Sequence, residues 1–132
     1  MTGYVHPHVA VTVSDFEATK SFYASLGFKT LVENFSEEKQ RHFMLLEGYG
    51  LEMEVFYFTN QPEGQTIAED DLQRVGIKHV ALPVDDVTQL RNSLVGKGIE
   101  LLKDINVSSL GVSNFNVKDP SGLVLEFFQV KG

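Results

Sequence analysis

The chain has no cysteine. That removes disulfides, thiol nucleophiles and thiolate metal sites at once. Positive charge is scarce as well: 11 Lys and Arg stand against 18 Asp and Glu, for a net charge of -7. No basic stripe forms, so contact with a nucleic-acid backbone is not expected, and the acidity by itself argues only for solubility. No apolar run approaches the roughly 20 residues of a membrane span. The opening residues, Met1 to His6, lack the basic patch and apolar stretch of a signal peptide, so a cytoplasmic location is the expectation. A Gly-rich phosphate loop after a strand and a Gly-x-Ser-x-Gly elbow are missing too.

What is present is a repeat. His8 opens His8-Val9-Ala10-Val11-Thr12-Val13-Ser14-Asp15, and His79, 71 residues on, opens His79-Val80-Ala81-Leu82-Pro83-Val84-Asp85-Asp86. The same offset carries Asp15 onto Asp86, Gly27 onto Gly98 and Phe28 onto Ile99, with no gap over 21 residues. Glu54 in Leu51-Glu52-Met53-Glu54-Val55 and Glu126 in Leu123-Val124-Leu125-Glu126-Phe127 lie 72 apart. A periodicity of this kind has to be recognised before any fold is assigned. With 132 residues, 42% of them apolar, the chain can bury roughly two-thirds of its unfolded surface, whereas a half of about 60 residues would be marginal alone. The expectation is one domain of two modules, at about 4–59 and 77–131, joined by a polar linker at about 60–76 that contains Pro62 and Gly64.

Val9 to Val13 reads as a strand, with Val9, Val11 and Val13 on one side and His8, Ala10 and Thr12 on the other. Ser14 or Asp15 is the N-cap candidate for a helix carrying Phe16, Phe22, Tyr23 and Leu26 on one face, and Gly27 ends it. Strands are expected at Lys29 to Glu33, Arg41 to Leu46 and Leu51 to Phe58, which makes a βαβββ module. The second module repeats this plan. It has a strand from His79 to Val84, then a helix capped by Asp85 or Asp86 and closed by Gly96 and Gly98. Its later strands are expected near Ile99 to Leu102, Ser113 to Val117 and Leu123 to Val130. Asp119-Pro120-Ser121-Gly122 is a turn signal. A short helical turn is expected near Ala68 to Gln73, and Asp104 to Gly111 reads as a Ser-rich loop.

The repeat gives each half one His and one Glu. If the valines pack beneath the helix, His8 falls on the opposite face beside small neighbours, which leaves room for a ligand. Imidazole and carboxylate together suit a divalent metal such as Zn, Ni, Co, Mn or Fe, and four protein ligands with an open position describe a catalytic site. The expected ligands are His8, Glu54, His79 and Glu126. His6 shares strand parity with His8, and Glu52 shares it with Glu54, so those alternatives stay open. His42, in a strand with Met44 and Leu46, is a further pocket candidate. Phe16, Phe22 and Tyr23 read as core; Phe56, Phe58, Phe115 and Phe128 read as either core or pocket lining.

Taken together, His8-Val9-Ala10-Val11-x-Val13-x-Asp15, Phe22-Tyr23-x-x-Leu26-Gly27-Phe28, His79-Val80-Ala81-Leu82-x-Val84-Asp85 and Asp119-Pro120-Ser121-Gly122-x-x-Leu125-Glu126 resemble the vicinal oxygen chelate superfamily. That superfamily includes glyoxalase I, methylmalonyl-CoA epimerase, extradiol dioxygenases, fosfomycin-resistance transferases and bleomycin-binding proteins. The resemblance covers essentially the whole chain. It implies an α+β fold in which two tandem βαβββ modules form a cupped eight-stranded mixed sheet with helices on its outer face. It also implies a homodimer and a small-molecule substrate, without nucleic acid or membrane.

Residue by residue, the resemblance implies metal ligation by His8, His79 and Glu126, with Glu54 at the fourth position. A Glu there is similar to glyoxalase I, whereas the epimerases usually have Gln. The compact length resembles the bacterial form, which favours nickel or cobalt over zinc. One departure is Thr12, which stands where many glyoxalase I chains carry an Arg that helps bind glutathione.

Three activities fit these residues. The first is a glyoxalase I-like lyase or isomerase, in which the metal chelates two adjacent oxygens, an enediolate is stabilised, and Glu54 or Glu126 is the base. The second is an extradiol dioxygenase-like Fe(II) enzyme using His8, His79 and Glu126. The third is a non-catalytic, bleomycin resistance-like binder of a small hydrophobic or aromatic compound.

Overall fold

The computed structural model describes residues 4–67 and 72–130. Its contacts divide the chain into two compact units, Met1–Thr66 and Ile67–Gly132, and the division falls inside the expected linker. The first unit contains β1 (His8–Thr12), α1 (Phe16–Leu26), β2 (Lys29–Ser36), β3 (Arg41–Gly48) and β4 (Leu51–Phe58). The second contains β5 (Val80–Val84), α2 (Val87–Gly96), β6 (Leu101–Val107), β7 (Ser113–Lys118) and β8 (Val124–Gln129). The eight expected strands are divided four and four between two sheets, ordered β1-β4-β3-β2 and β5-β8-β7-β6. In each sheet the first strand runs parallel to the last and the other neighbours are antiparallel. No helix among the described residues is long and apolar enough to cross a membrane.

The repeat is physical down to single hydrogen bonds. Asp15 and Asp86 are the N-caps, chosen from the two candidates in each half. Both are extended, and their carboxylates accept from Ala18 N at 2.9 Å and Gln89 N at 3.0 Å. At the other end Gly27 and Gly98 take φ of 102° and 87°, left-handed values that a Cβ disfavours. Each lets the next residue turn back: Phe28 N donates to Tyr23 O, and Ile99 N donates to Leu94 O, both at 3.0 Å. An exposed ion pair also recurs at the same offset. Lys20 on α1 reaches Glu33 on β2 at 2.7 Å, and Arg91 on α2 reaches Asp104 on β6 at 2.8 Å.

Each module has its own core between one helix and one sheet face. In the first, Phe16, Tyr23 and Leu26 of α1 are buried, as are Met44, Leu46, Met53 and Val55 of the sheet. In the second, Val87 and Leu94 of α2 are buried together with Leu82, Phe115, Val117, Leu125 and Phe127, and the Phe115 and Phe127 rings stack at 5.3 Å. Burying each of these large apolar side chains stabilises the fold by about 1.5–3 kcal/mol. Phe115 is therefore core. Phe56, Phe58 and Phe128 alternate onto the opposite, helix-free face, where they are half-buried. Phe22 is only half-buried.

The shift from 71 to 72 has a local cause. β3 and β4 join through Tyr49 and Gly50, both at positive φ (56° and 79°), the tight two-residue hairpin of a primed turn. β7 and β8 join through the longer Asp119 turn. There the Asp119 carboxylate accepts from Ser121 N and Leu123 N, both at 2.9 Å. β4 and β8 therefore keep equivalent registers while differing by one residue in number.

Several sequence expectations need correction. The second module's first strand begins at Val80, leaving His79 just ahead of it. β6 runs Leu101–Val107, so half of the segment expected to be a loop at Asp104 to Gly111 is edge strand, and only 108–112 connects. Edge strands are hard to recognise because only one side is paired and burial is weak; β2 is exposed along nearly its whole length, which is why it too runs further than expected. The helical turn expected near Ala68 to Gln73 falls mostly outside the described residues.

Candidate functional site

Strand alternation puts the sequence-selected residues on the helix-free faces. In module one, His8 lies opposite Glu52 and Ala10 opposite Glu54. In module two, Ala81 lies opposite Glu126. Glu54 and Glu126 therefore each face the alanine two residues beyond the repeat's His. This register match, which numbering alone leaves open, makes Glu54 and not Glu52 the counterpart of Glu126.

Module two brings its pair together directly. His79 Nε2 stands 3.6 Å from Glu126 Oε1, with the side chains 39% and 22% exposed. Two donors held about 2.0–2.2 Å from one divalent ion stand about 3–3.5 Å apart, so the separation fits two adjacent ligands after a small side-chain adjustment. Asn116 lies on the other side of Glu126 in the register, and its buried Oδ1 has no hydrogen-bond partner among the described residues.

Module one joins its pair through a third residue. The Tyr4 ring stacks on His8 with centroids 4.0 Å apart and planes at 20°, and its hydroxyl donates to Glu54 Oε2. That bond, with burial and the charges of Glu54 and Glu52 adding to it, raises the Tyr4 phenol above its ordinary value. The same-face position next to Glu54 is Leu45, where module two has Asn116.

The alternatives left open in the sequence have other tasks. Glu52 is 1% exposed, and its Oε2 accepts from Val5 N at 3.0 Å and His6 N at 2.6 Å. It fastens the segment that carries Tyr4, and its Oε1 has no hydrogen-bond partner among the described residues. His6 precedes β1 and contributes its backbone to that anchor. His42 does line a cavity, of about 300 Å³, with Ser14, Asp15, Phe16, Glu17 and Tyr57. That cavity is on the helix side of the sheet: the His42 ring packs 5.1 Å from Phe16 of α1, and strand alternation sets His42 on the face opposite Glu54.

Sequence reading passed over Tyr4 and Arg41. Arg41 shares the helix-free face with Phe43 and Leu45, and its guanidinium lies 5.3 Å above the Phe56 ring. Its strand parity was legible, but the register between β3 and β4 was needed to set it beside Phe56. Among the described residues no group of three or more His, Asp or Glu converges as a metal cluster; the arrangement within each module is a pair.

Comparison with known proteins agrees with this fold. The family model described as Glyoxalase/Bleomycin resistance protein/Dioxygenase superfamily matches residues 6–127. An uncharacterized protein of Bacillus subtilis, YwkD, is 33% identical over 125 residues, covering 92% of this chain and 94% of that protein. The crystal structure of a glyoxalase family protein from Enterococcus faecalis superposes with a TM-score of 0.77 at 30% identity, covering 96% of this chain and 97% of that one. Glyoxalase I from Zea mays superposes with a TM-score of 0.76 at 21% identity, and there this chain matches 45% of the maize chain, a likeness of fold.

Proposed function

Because the chain belongs to the glyoxalase/bleomycin resistance protein/dioxygenase superfamily, we propose that it is a divalent-metal lyase or isomerase of the glyoxalase I kind, acting on a small oxygenated substrate. The observation that carries the reading is the His79–Glu126 pair, a nitrogen and a carboxylate oxygen 3.6 Å apart on a helix-free sheet face. It is joined by the equivalent register of His8 and Glu54 in the other module. The proposed ligands are His8, Glu54, His79 and Glu126, with nickel or cobalt favoured and zinc, manganese or iron accommodated by the same donors. A bound ion supplies Lewis acidity toward adjacent substrate oxygens.

The chain's own residues do the rest. His79, just ahead of β5, and Glu126, on the neighbouring β8, supply an imidazole and a carboxylate, and the β5–β8 pairing beside them sets their spacing. Glu126 takes a proton from the carbon next to a substrate carbonyl, while Glu54, held by Tyr4, keeps its carboxylate oriented. A homodimer working in the cytoplasm goes with this proposal.

The test is elemental analysis of untagged protein, wild type beside His79→Ala, paired with a lyase assay on the hemithioacetal of methylglyoxal and glutathione. About one nickel or cobalt per chain that is lost in the variant is the expected result. Iron together with oxygen uptake on catechols would move the assignment to the dioxygenase branch. No metal in either protein after incubation with divalent ions would sink both enzyme readings and leave a small-molecule binder.

A further inference from the structure

The cavity beside His42 lies on the helix side of the first module's sheet, on the face opposite Glu54, and the proposed function makes no use of it. Its volume is about 300 Å³, at the small end of the roughly 300–1,000 Å³ range of small-molecule sites. Three rings and three polar residues line it: Phe16, His42 and Tyr57, with Ser14, Asp15 and Glu17. The rings make a continuous wall, since His42 stands 5.1 Å from Phe16 and 6.0 Å from Tyr57. Phe16, itself buried, closes the inner end. The rest is open to solvent: His42 and Tyr57 are half-buried, and the Glu17 side chain is 78% exposed.

The second module shows the same junction closed. The repeat carries Phe16 onto Val87, Glu17 onto Thr88, His42 onto Ser113 and Tyr57 onto Gln129, so neither the rings nor the second carboxylate are present there. Gln129 spans the start of α2. Its Oε1 accepts from Val87 N at 2.8 Å, and its Nε2 donates to Asp85 O. An amide at this position therefore suffices to join helix to sheet. The first module has a tyrosine instead, and the place is open.

Ring chemistry and charge together identify the occupant. None of the six lining residues is a lysine or arginine. Asp15 Oδ1 is engaged by Ala18 N. Glu17 lies 4.0 Å from the Lys20 ammonium, which sits much closer to Glu33, at 2.7 Å, so the Glu17 charge is left largely uncompensated at the rim. The start of α1 taken alone favours an anion, but the two carboxylates reverse that preference. The faces of Tyr and Phe attract a cation within about 6 Å of the ring centroid. A metal ion suits the place poorly, because among the described residues no group of three or more His, Asp or Glu converges. We propose that this cavity binds a small organic cation, a methylated or protonated amine, with its nitrogen against the Tyr57 and His42 rings and its charge facing Glu17. The site needs none of His8, Glu54, His79 or Glu126 and does not depend on the proposed metal chemistry.

The probe is choline, with neohexanol as its uncharged carbon analogue, titrated into the whole protein while the ring resonances of His42 and Tyr57 are followed by NMR. Choline is expected to move those resonances and neohexanol to move them much less. Tyr57→Gln, which puts the second module's residue into the first, should weaken choline binding by about twofold to thirtyfold, the range of a lost ring–cation contact. Glu17→Gln changes an exposed side chain that the fold does not need, and should weaken it by about twofold to fivefold. Thermal melts check that both variants fold. Unmoved resonances, an equal response to neohexanol, or choline affinity unchanged in Glu17→Gln overturns the proposal. A larger response to acetate than to choline also overturns it, and would make the cavity an anion site at the start of α1.

Discussion

The two modules share a frame and differ in what they hang on it. Caps, helix-ending glycines, ion pairs and registers recur between them almost bond for bond. The helix-free faces do not. Module two sets His79 directly against Glu126 and puts a polar pair, Asn114 and Asn116, on β7. Module one joins His8 to Glu54 through Tyr4 and puts Phe43 and Leu45 on β3. Backbone hydrogen bonds and core packing tolerate little drift, because each unmet donor or misfit methylene costs about 1–3 kcal/mol. A face that packs under no helix of its own module escapes much of that constraint, and there the copies have diverged.

The sharpest way to break the comparison is to remove one carboxylate at a time. If Glu126 is the base, Glu126→Gln should lower turnover by about 10²–10⁴, the usual worth of a positioned base, with the fold intact by circular dichroism. Glu54→Gln should act through metal content instead. Equal losses in both, with metal retained, would mean the modules are functionally interchangeable.

A second test concerns the two hairpins. A Cβ on Gly48 would lie 2.7 Å from the Phe28 ring, so Gly48→Ala should destabilise by about 1–3 kcal/mol through overpacking. Asp119→Ala, at the equivalent point of module two, frees two backbone donors, Ser121 N and Leu123 N, and should cost a similar 1–3 kcal/mol or so for a different reason. Urea midpoints measure both. Insensitivity of the Gly48 variant would mean Phe28 can step aside.

The Tyr4 bridge is read by ultraviolet titration of the phenols. Tyr4 is raised chiefly by its hydrogen bond to Glu54, so its stabilising effect is present below the ordinary phenol value near 10 and is lost as pH rises through the folded value. Glu54→Gln should bring the high-pH component down toward that ordinary value. An unchanged titration would separate Tyr4 from Glu54.

The smallest effect belongs to the paired surface bridges. Arg91, first by its hydrogen bond, holds the Asp104 carboxyl below its usual value. Any stability from that pair is present above about pH 4, the unfolded carboxylate value, and fades as pH falls through the lowered folded value. Arg91→Ala should therefore flatten the acid limb of the stability curve slightly and leave neutral stability nearly unchanged, since exposed ion pairs contribute little. A large loss at neutral pH would show that the bridge does more than its exposure suggests.

Most of the frame was legible in the residues. Val9-x-Val11-x-Val13, the Asp caps, Gly27 and Gly98 act through local geometry, and local geometry is written in neighbouring residues. Strand ends were less legible: β2 and β6 run further than apolar spacing suggests, because an edge strand needs only one bonded partner. The site was half legible. His8, Glu54, His79 and Glu126 stand out because the repeat places them, and their faces follow from alternation. Which Glu matches which required the register, since one extra residue in the Asp119 turn changes the numbering without changing the pairing.

The amino-acid sequence by itself determined the βαβββ repeat, the ends of its helices to within a residue, the side of each strand that packs beneath its helix, and a short set of His and Glu candidates. Only tertiary structure decided that Glu52 is an anchor, that Tyr4 joins His8 to Glu54, that His42 belongs to the helix side, and that Arg41 lies over Phe56. The first set depends on periods of a few residues along one strand or helix. The second depends on which strand lies beside which and at what offset, and that is settled by hydrogen bonds between segments up to 50 residues apart.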